Sequence, residues 1–270
     1  MNILFFGDIV GKPGREAVKY YLEQLNTQPY DVVIANSENA THGFGFSEKN
    51  YHELMAAGIH GFTGGNHSFD RAKDAHIYDT FPNLIRPLNI GHKRGGRGFC
   101  LIDTGKTPLA LVNILGQTFM QPYDSPWKAL EETLPHVKAL TPFVLLDVHA
   151  EATAEKFCLA TYAGSLGASV VLGTHTHVQT ADERLLSNGT TGFLTDVGFN
   201  GAQHSSIGMN ADLSLAKFLG EGQGKNTVAE SHEVQVCAVA IQLDEQTGHC
   251  LGLTRIFERF TLPPHIKVAS

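Results

Sequence analysis

The sequence predicts an α/β protein with mixed β-sheets, in which two sheets pack face to face and helices cover the outside. Two observations support this fold class. Short apolar runs alternate with segments of helical periodicity, as expected for strands joined by helices. Paired apolar runs separated by glycine-containing turns interrupt this alternation and indicate antiparallel hairpins. Because no linker, internal repeat or charge run divides the sequence, we expect a single domain over residues 1–270.

The N-terminal part consists of predicted strands followed by predicted helices. Strands are expected at three apolar runs: NILFF (2–6), DVVIA (31–35) and GIHGFTGG (58–65). Apolar residues at helical spacing predict a helix over 14–25, and Ser47 has the character of an N-cap for a second helix over 47–57.

The remainder of the chain mixes hairpins with further strand–helix pairs. Hairpins are expected at GFCLIDTG with TPLALVNILG (98–116), at RLLSNGTTGFLTD with an Asn188-Gly189 turn (184–196), and at VQVCAVAIQLDEQTGHCLGLTRIFER with Thr247-Gly248 near its tip (234–259). Helices over 125–137 and 153–167 alternate with buried strands over 143–149 and 168–173. The segment LGEGQGKNTVAESH (219–232) is expected to be a surface loop.

Composition limits the classes of function. Hydrophobic residues make up 42% and charged residues 17%, as is usual in soluble globular proteins. A net charge of −7 argues against broad nucleic-acid binding, which needs a basic surface. The four cysteines are far apart and are expected to be free thiols in a reducing compartment. The start MNILFFGD lacks the basic region and apolar core of a signal peptide, and no run is long enough to span a membrane, so we expect a cytoplasmic protein.

Side chains that can bind metal stand where five predicted strands end. They are Asp8; Glu38 and Asn39; Asn66 and His67; His149, with Glu151 close behind it; and His175 and His177. Each has an ordinary structural explanation by itself, such as a turn aspartate or a satisfied histidine. Because the carboxyl ends of strands in α/β sheets meet in one crevice, their combination indicates a site. Alternate residues of an extended backbone project to the same side, so we expect that His175 and His177 can both face one site.

The candidate ligands combine imidazole with carboxylate and amide oxygen, without a thiolate. This set favours iron or manganese first and zinc or cobalt second, over calcium or a cysteine-built zinc site. The seven candidates other than His67 and Glu151 are too many for one tetrahedral ion and fit two ions that share a bridge. Two ions about 3.5–4 Å apart recur in phosphoryl chemistry and lower the pKa of a bridging water, which gives a hydroxide nucleophile. If Asn66 binds metal, His67 is free to protonate the leaving oxygen.

The other histidines have no such context. Eight are scattered and are expected at the surface or partly buried: His52, His60, His76, His92, His136, His232, His249 and His265. His42 and His204 are left open as further candidates.

Five blocks of the chain, in order, resemble the signature blocks of the YmdB-like branch of the calcineurin-like metallophosphoesterase superfamily. They are FFGDIVGKPGR, NSENATHGFG, GGNHSFD, DVHAEAT and GTHTHVQTAD. The resemblance implies a four-layer α/β/β/α sandwich with two mixed β-sheets and a dinuclear centre at the sheet edges. It also implies hydrolysis of small phosphodiesters, notably 2′,3′-cyclic nucleotides, with phosphomonoesterase activity on model substrates.

The resemblance assigns ligands by matched position. One ion would be held by four residues: Asp8, Glu38, Asn39 and His177. The second would be held by Glu38, as the bridge, together with three others: Asn66, His149 and His175. His67 matches the proton-donating histidine of the family.

Three departures from the family pattern stand out. Val10 occupies the place of a histidine that many relatives carry, and Asn39 compensates for it. Phe69 stands where tryptophan is frequent. The segment GFNGAQHSSIGM (198–209) differs from the usual Gly-Met-Thr-Gly-Pro segment, so substrate preference depends on whether this segment lines the pocket.

Two alternative functions stay open from the sequence. One is a metal-dependent phosphomonoesterase that acts on a nucleotide, sugar phosphate or phosphoprotein. The other is a regulatory or RNA-interacting protein whose metal site shapes a binding surface, with a local basic groove near Lys12, Arg15, Arg94 and Arg97. The native metal and the physiological substrate are not fixed by the sequence, and exposed apolar edges leave a homo-oligomer open.

Overall fold

Two six-stranded β-sheets form the inner layers of the structure. The structure is a computed structural model that describes residues 1–91, 94–222 and 225–269; His92 and residues 223–224 of the predicted loop lie outside the described residues. The strands are β1 (Asn2–Ile9), β2 (Val32–Asn36), β3 (Gly61–Thr63), β4 (Phe99–Ile102), β5 (Leu109–Leu115), β6 (Val144–His149), β7 (Val170–Thr174), β8 (Arg184–Leu185), β9 (Gly192–Leu194), β10 (Phe199–Ala202), β11 (Glu233–Leu243) and β12 (Cys250–Thr261). The α-helices are α1 (Gly11–Tyr20), α2 (Glu48–Ala56), α3 (Ile77–Thr80), α4 (Pro126–Leu140), α5 (Thr153–Ser165) and α6 (Ala211–Phe218).

Both sheets are mixed. The first has the order β12-β11-β10-β1-β2-β3, and the second has the order β4-β5-β6-β7-β9-β8. In the first sheet β10, β1, β2 and β3 run parallel, while β11 is antiparallel to β1, β10 and β12. In the second sheet β5, β6, β7 and β9 run parallel, with β4 and β8 antiparallel at the edges. The parallel strands therefore deliver their carboxyl ends to one edge of each sheet.

Strand β1 shows how the layers arise. Successive side chains of a strand point to opposite faces, so Ile3 and Phe5 enter the core between the sheets while Leu4 and Phe6 enter the core beneath the first pair of helices. All four side chains are fully buried, which explains why the strand is a continuous apolar run rather than an alternating one. Helices α1 and α2 cover the first sheet, and α4 and α5 cover the second. The four-layer α/β/β/α prediction is confirmed.

The predicted strands and helices are confirmed, with differences at their ends. Helix α1 begins at Gly11, where φ is +58°, and a π-helical turn over Tyr21–Leu25 completes the predicted segment. The three hairpins form as β4–β5, β8–β9 and β11–β12. Strand β10 and helices α3 and α6 were not predicted.

The sequence also predicts where the protein is located and how many domains it has. Among the residues that the structure describes, none of the helices combines the length and apolar character needed to cross a bilayer. The cytoplasmic location and the single domain over 1–270 stay predictions.

Candidate metal centre

A buried carboxylate joins the two sheets at the edge where their parallel strands end. Asp147 on β6 accepts hydrogen bonds from Asn36 Nδ2 at 3.0 Å and from Thr63 Oγ1 at 2.5 Å, both in the first sheet. It also accepts one from Thr174 Oγ1 at 2.7 Å. Burial raises the pKa of Asp147 to about 6. The residues that follow these strand ends are therefore held close together.

One group of candidate ligands gathers around His149. Its Nε2 lies 3.0 Å from Glu38 Oε1, 2.9 Å from Asn66 Oδ1 and 3.1 Å from His175 Nδ1. Glu38, His149 and His175 each offer a ligand atom, and these atoms all lie within 4.8 Å of one another. The donor atoms of four predicted ligands thus converge on one small volume.

Polar contacts on the outer side of each ring orient these histidines, a hydrogen bond for His149 and a carboxylate contact for His175. Thr174 Oγ1 donates to Asp147, so it accepts from His149 Nδ1 at 2.9 Å, which leaves the lone pair of Nε2 facing the cluster. Glu151 Oε2 lies 3.3 Å from His175 Nε2 and favours the proton there, which leaves Nδ1 facing the cluster. Two lone pairs on nitrogens 3.1 Å apart repel unless a cation or proton lies between them. Outer partners of this kind are typical of metal-binding histidines.

A second group contains two buried oxygens, Asp8 Oδ1 and Asn39 Oδ1, that have no hydrogen-bond partner among the described residues. Asn39 Nδ2 donates to the carbonyl of Gly43 at 2.9 Å, which fixes the amide so that its oxygen is the unpartnered atom. His177 Nδ1 donates to the carbonyl of Ile207 at 2.8 Å, so Nε2 carries a lone pair, 3.7 Å from Asp8 Oδ1. A buried oxygen without a partner is costly, and a bound cation would satisfy both of these oxygens.

The electrostatics of the two groups favour positive charge between them. Burial raises the pKa of Asp8, but His177 and His149 outweigh this and hold it below its usual value; His149 does the same for the pKa of Glu38. Burial lowers the pKa of His149, but Glu38 and Asp8 raise it to about 9. Burial and the adjacent His149 lower the pKa of His175 to about 3. A metal cation would supply the charge that the proton on His149 otherwise supplies.

The backbone at His175 and His177 is not extended, contrary to the expectation from the sequence. Strand β7 ends at Thr174, and His175 and His177 both have positive φ, +96° and +62°. The pair therefore lies in a tight turn that sends the two rings to different groups. The backbone N of His175 donates to Asp8 Oδ2 at 3.2 Å and connects those groups.

His67 lies beside the first group, at its exposed side. Its backbone N donates to Glu38 Oε2 at 2.9 Å, and its Nδ1 lies 2.7 Å from Asp70 Oδ2. Its ring meets Phe44 edge to face at 5.1 Å between centroids. With Nδ1 bound to the carboxylate, Nε2 is the nitrogen available to a ligand.

Several site residues were missed from the sequence. Asp70 carries a signal, since it lies three residues beyond the predicted site residue His67, whereas Glu151 was already noted next to His149. Thr174 and Ile207 carry none, because a strand-end threonine and a backbone carbonyl have no distinctive pattern. The remaining described histidines do not join the two groups; His60, for example, accepts from the backbone N of Val33. His204 Nε2 lies 3.5 Å from Glu233 Oε2. The side chain of His42 is exposed, and its backbone φ is +56°.

A four-layer sandwich with polar side chains gathered at the carboxyl ends of both sheets is the architecture of the metallophosphoesterases. Within that class the chain belongs to the YmdB-like family, whose profile, described as "YmdB-like protein", matches residues 4–256. The predicted family is thereby confirmed.

Three relatives are similar over nearly the whole chain. A Bacillus subtilis (strain 168) protein named "2′,3′-cyclic-nucleotide 2′-phosphodiesterase" is 40% identical over 258 residues, 95% of this chain and 96% of the relative. The crystal structure of a hypothetical protein from Thermus thermophilus is 36% identical and covers 96% of this chain and 99% of its own, with a TM-score of 0.88. The crystal structure of a novel phosphatase from Mycoplasma pneumoniae is 31% identical in sequence. It covers 97% of this chain and 95% of its own, also with a TM-score of 0.88.

Proposed function

We propose that the chain is a phosphodiesterase that uses two metal ions to hydrolyse small phosphodiesters such as 2′,3′-cyclic nucleotides. The observation that carries the proposal is the pair of adjacent ligand groups: the facing ring nitrogens of His149 and His175, and the unpartnered oxygens of Asp8 and Asn39. The names of the Bacillus subtilis and Mycoplasma pneumoniae relatives support a phosphoric ester hydrolase. The first of these names also supports the cyclic-nucleotide substrate.

The chemistry of the donor atoms supports a proposal of two ions. We assign one ion to four residues: Asp8, Glu38, Asn39 and His177. We assign the other to Glu38, as a shared bridge, with three more: Asn66, His149 and His175. Imidazole, carboxylate and amide oxygen suit iron or manganese, with zinc or cobalt as alternatives. When bound, the ions supply a water of lowered pKa as the nucleophile and stabilise charge on the phosphoryl oxygens.

We assign proton transfer to His67. Asp70 accepts from Nδ1 and fixes the ring, so a proton on Nε2 is directed away from that carboxylate. This proton passes to the leaving oxygen as its bond to phosphorus breaks, and His67 returns to the neutral form. The backbone N–H of His67 binds Glu38, which sets the distance between the proton donor and the proposed bridge.

A phosphomonoesterase is the second candidate, favoured by the name "novel phosphatase" given to the Mycoplasma pneumoniae structure. The regulatory or RNA-interacting alternative gains less from the structure. Two of the four cations of its expected groove are engaged, because Arg15 pairs with Glu53 at 3.0 Å and Lys12 Nζ donates to the carbonyl of Ala269 at 2.8 Å.

One experiment tests the proposal directly. Protein purified without added metal is analysed for bound metal, and the same sample is assayed with 2′,3′-cyclic AMP and with AMP. We expect about two ions per chain and faster turnover of the cyclic diester. Less than about one ion per chain, without turnover of either ester, would contradict the proposal. Faster turnover of AMP would favour the phosphomonoesterase.

A further inference from the structure

We propose that a cavity beside the candidate metal centre binds the base of a nucleotide substrate, an inference that rests on the function proposed above. The cavity has a volume of about 330 Å³, within the range of small-ligand sites. His177 is one of the residues that line it. The cavity therefore lies directly beside a proposed metal ligand.

The lining includes apolar and aromatic side chains together with polar ones. The ring of Phe199 stacks on that of His177, with centroids 5.5 Å apart and an interplanar angle of 24°. Ile207 and Phe257 also line the cavity, and they are 50% and 47% exposed. Large apolar side chains that remain this exposed next to a polar site are suited to cover a planar, weakly polar group. Bases stack on aromatic side chains in this way irrespective of their hydrogen-bonding edge.

Arg259 supplies a polar group at the same wall. Its guanidinium carbon lies 4.7 Å from the centroid of the Phe257 ring. No carboxylate of the described residues pairs with Arg259, whereas Arg255, in the same wall, pairs with Glu183 at 2.6 Å. The N–H groups of Arg259 are therefore available to the ring nitrogens and carbonyl oxygens of a base, which are acceptors that guanidinium recognises.

The segment over 198–209 connects the cavity to the metal centre. The carbonyl of Ile207 accepts from His177 Nδ1, and the same residue lines the cavity. Ile207 has φ +50°. It lies in a short turn that is closed by an antiparallel β-bridge between Ser206 and Met209. This segment departs from the family pattern, so the difference falls in the wall that meets the base and not among the proposed metal ligands.

The test compares two substrates with the same five-membered cyclic phosphate. One is 2′,3′-cyclic AMP, and the other is glycerol 1,2-cyclic phosphate, which has no base. For Phe257→Ala and Arg259→Gln we expect the KM for the nucleotide to rise about tenfold with kcat little changed, because each change removes a contact with the base. The kcat/KM for the glycerol compound should stay within about twofold of wild type. Phe218→Ala, at a phenylalanine that is 89% exposed and outside the cavity wall, is the matched control and should leave both substrates unaffected.

The outcomes separate the base site from the reaction itself. Equal losses on both substrates would assign the two residues a structural role and overturn the base site. An unchanged KM for the nucleotide in both variants would overturn it as well. Failure of the wild-type protein to hydrolyse either cyclic phosphate would instead overturn the proposed function, and the base site with it.

Discussion

Lys156 and Asp196 form a buried ion pair, with Nζ 2.6 Å from Oδ2. The same carboxylate oxygen accepts hydrogen bonds from the backbone N and the hydroxyl of Thr176, at 3.1 and 2.8 Å. Thr176 stands between His175 and His177, which both adopt positive φ. A lysine on helix α5, outside the ligand groups, thereby helps to hold the turn that presents two proposed metal ligands.

Replacing this lysine should destabilise the fold and weaken metal binding together. In Lys156→Met the carboxylate of Asp196 stays buried without its counter-charge, and breaking a buried pair in this way costs about 3–5 kcal/mol. Urea unfolding measures the loss of stability. Metal titration of the folded variant measures the loss of metal affinity that a looser turn would cause. Lys128→Met is the control, because that lysine is 74% exposed and its pair with Glu132 is 3.7 Å long. It should change stability by less than about 0.5 kcal/mol. Full metal affinity in folded Lys156→Met would show that the pair does not position the turn.

The proton-donor role of His67 predicts a loss that depends on the leaving group. His67→Ala should retain the metal content of the wild type and lower kcat for 2′,3′-cyclic AMP by about 10²–10⁴-fold. Turnover of a nitrophenyl diester should fall much less, because nitrophenolate leaves without protonation. Asp70→Asn, which keeps the size of the side chain that orients His67, should show the same selectivity with a smaller loss.

The control for this series is His76→Ala, at an exposed histidine that also contacts a carboxylate, Glu48 at 3.4 Å. It should have wild-type rates on both substrates. Equal loss on the two substrates in His67→Ala would count against proton donation and in favour of a role in binding.

Asn39 should contribute to stability only when metal is bound. In the metal-free protein its Oδ1 is a buried oxygen that has no partner in the part of the chain the structure describes, so Asn39→Ala removes an unfavourable group along with the hydrogen bond to Gly43. With Mn²⁺ at about 100 times its Kd, binding adds about 2.7 kcal/mol, or several degrees of Tm, to the wild type. We expect Asn39→Ala to lose most of that metal-induced shift in a thermal melt. Asn50→Ala, at a buried asparagine of another hydrogen-bond network, should lower Tm but keep the shift.

The sequence predicts the fold because burial leaves a direct signature in the strands. The NILFF run is apolar at every position after Asn2 since both faces of β1 are covered, and the hairpin turns carry glycines such as Gly189 and Gly248 at φ +69° and +73°. The candidate site could be predicted from the sequence for a related reason. Parallel strands bring their carboxyl ends together, so ligand-type residues at five strand ends could be combined without knowledge of any contact.

Other features depend on contacts that no local pattern records. The bond between Lys156 and Asp196 joins residues 40 apart in sequence, and a fully buried lysine is rare enough that its position on a helix predicts exposure. Strand β10 was missed because Phe199–Ala202 is short and contains Asn200 and Gly201. The turn at His175 was missed because positive φ is uncommon outside glycine, and here contacts from distant residues stabilise it.

Gly65 provides a test of how tightly the two groups are built. A Cβ at this position would overlap Glu38 Oε2 and His149 Nε2, and the backbone there does not require glycine for its φ. Gly65→Ala should therefore displace the proposed bridge, lower metal content well below that of the wild type and abolish phosphodiester hydrolysis, with the fold retained. Gly252→Ala is the matched control, since a Cβ there meets no atom of residues 1–91, 94–222 or 225–269 within 4 Å. Metal analysis and far-ultraviolet circular dichroism of both variants decide the question. A Gly65→Ala protein with full metal content would show that Glu38 and His149 do not hold the ions in the arrangement that we propose.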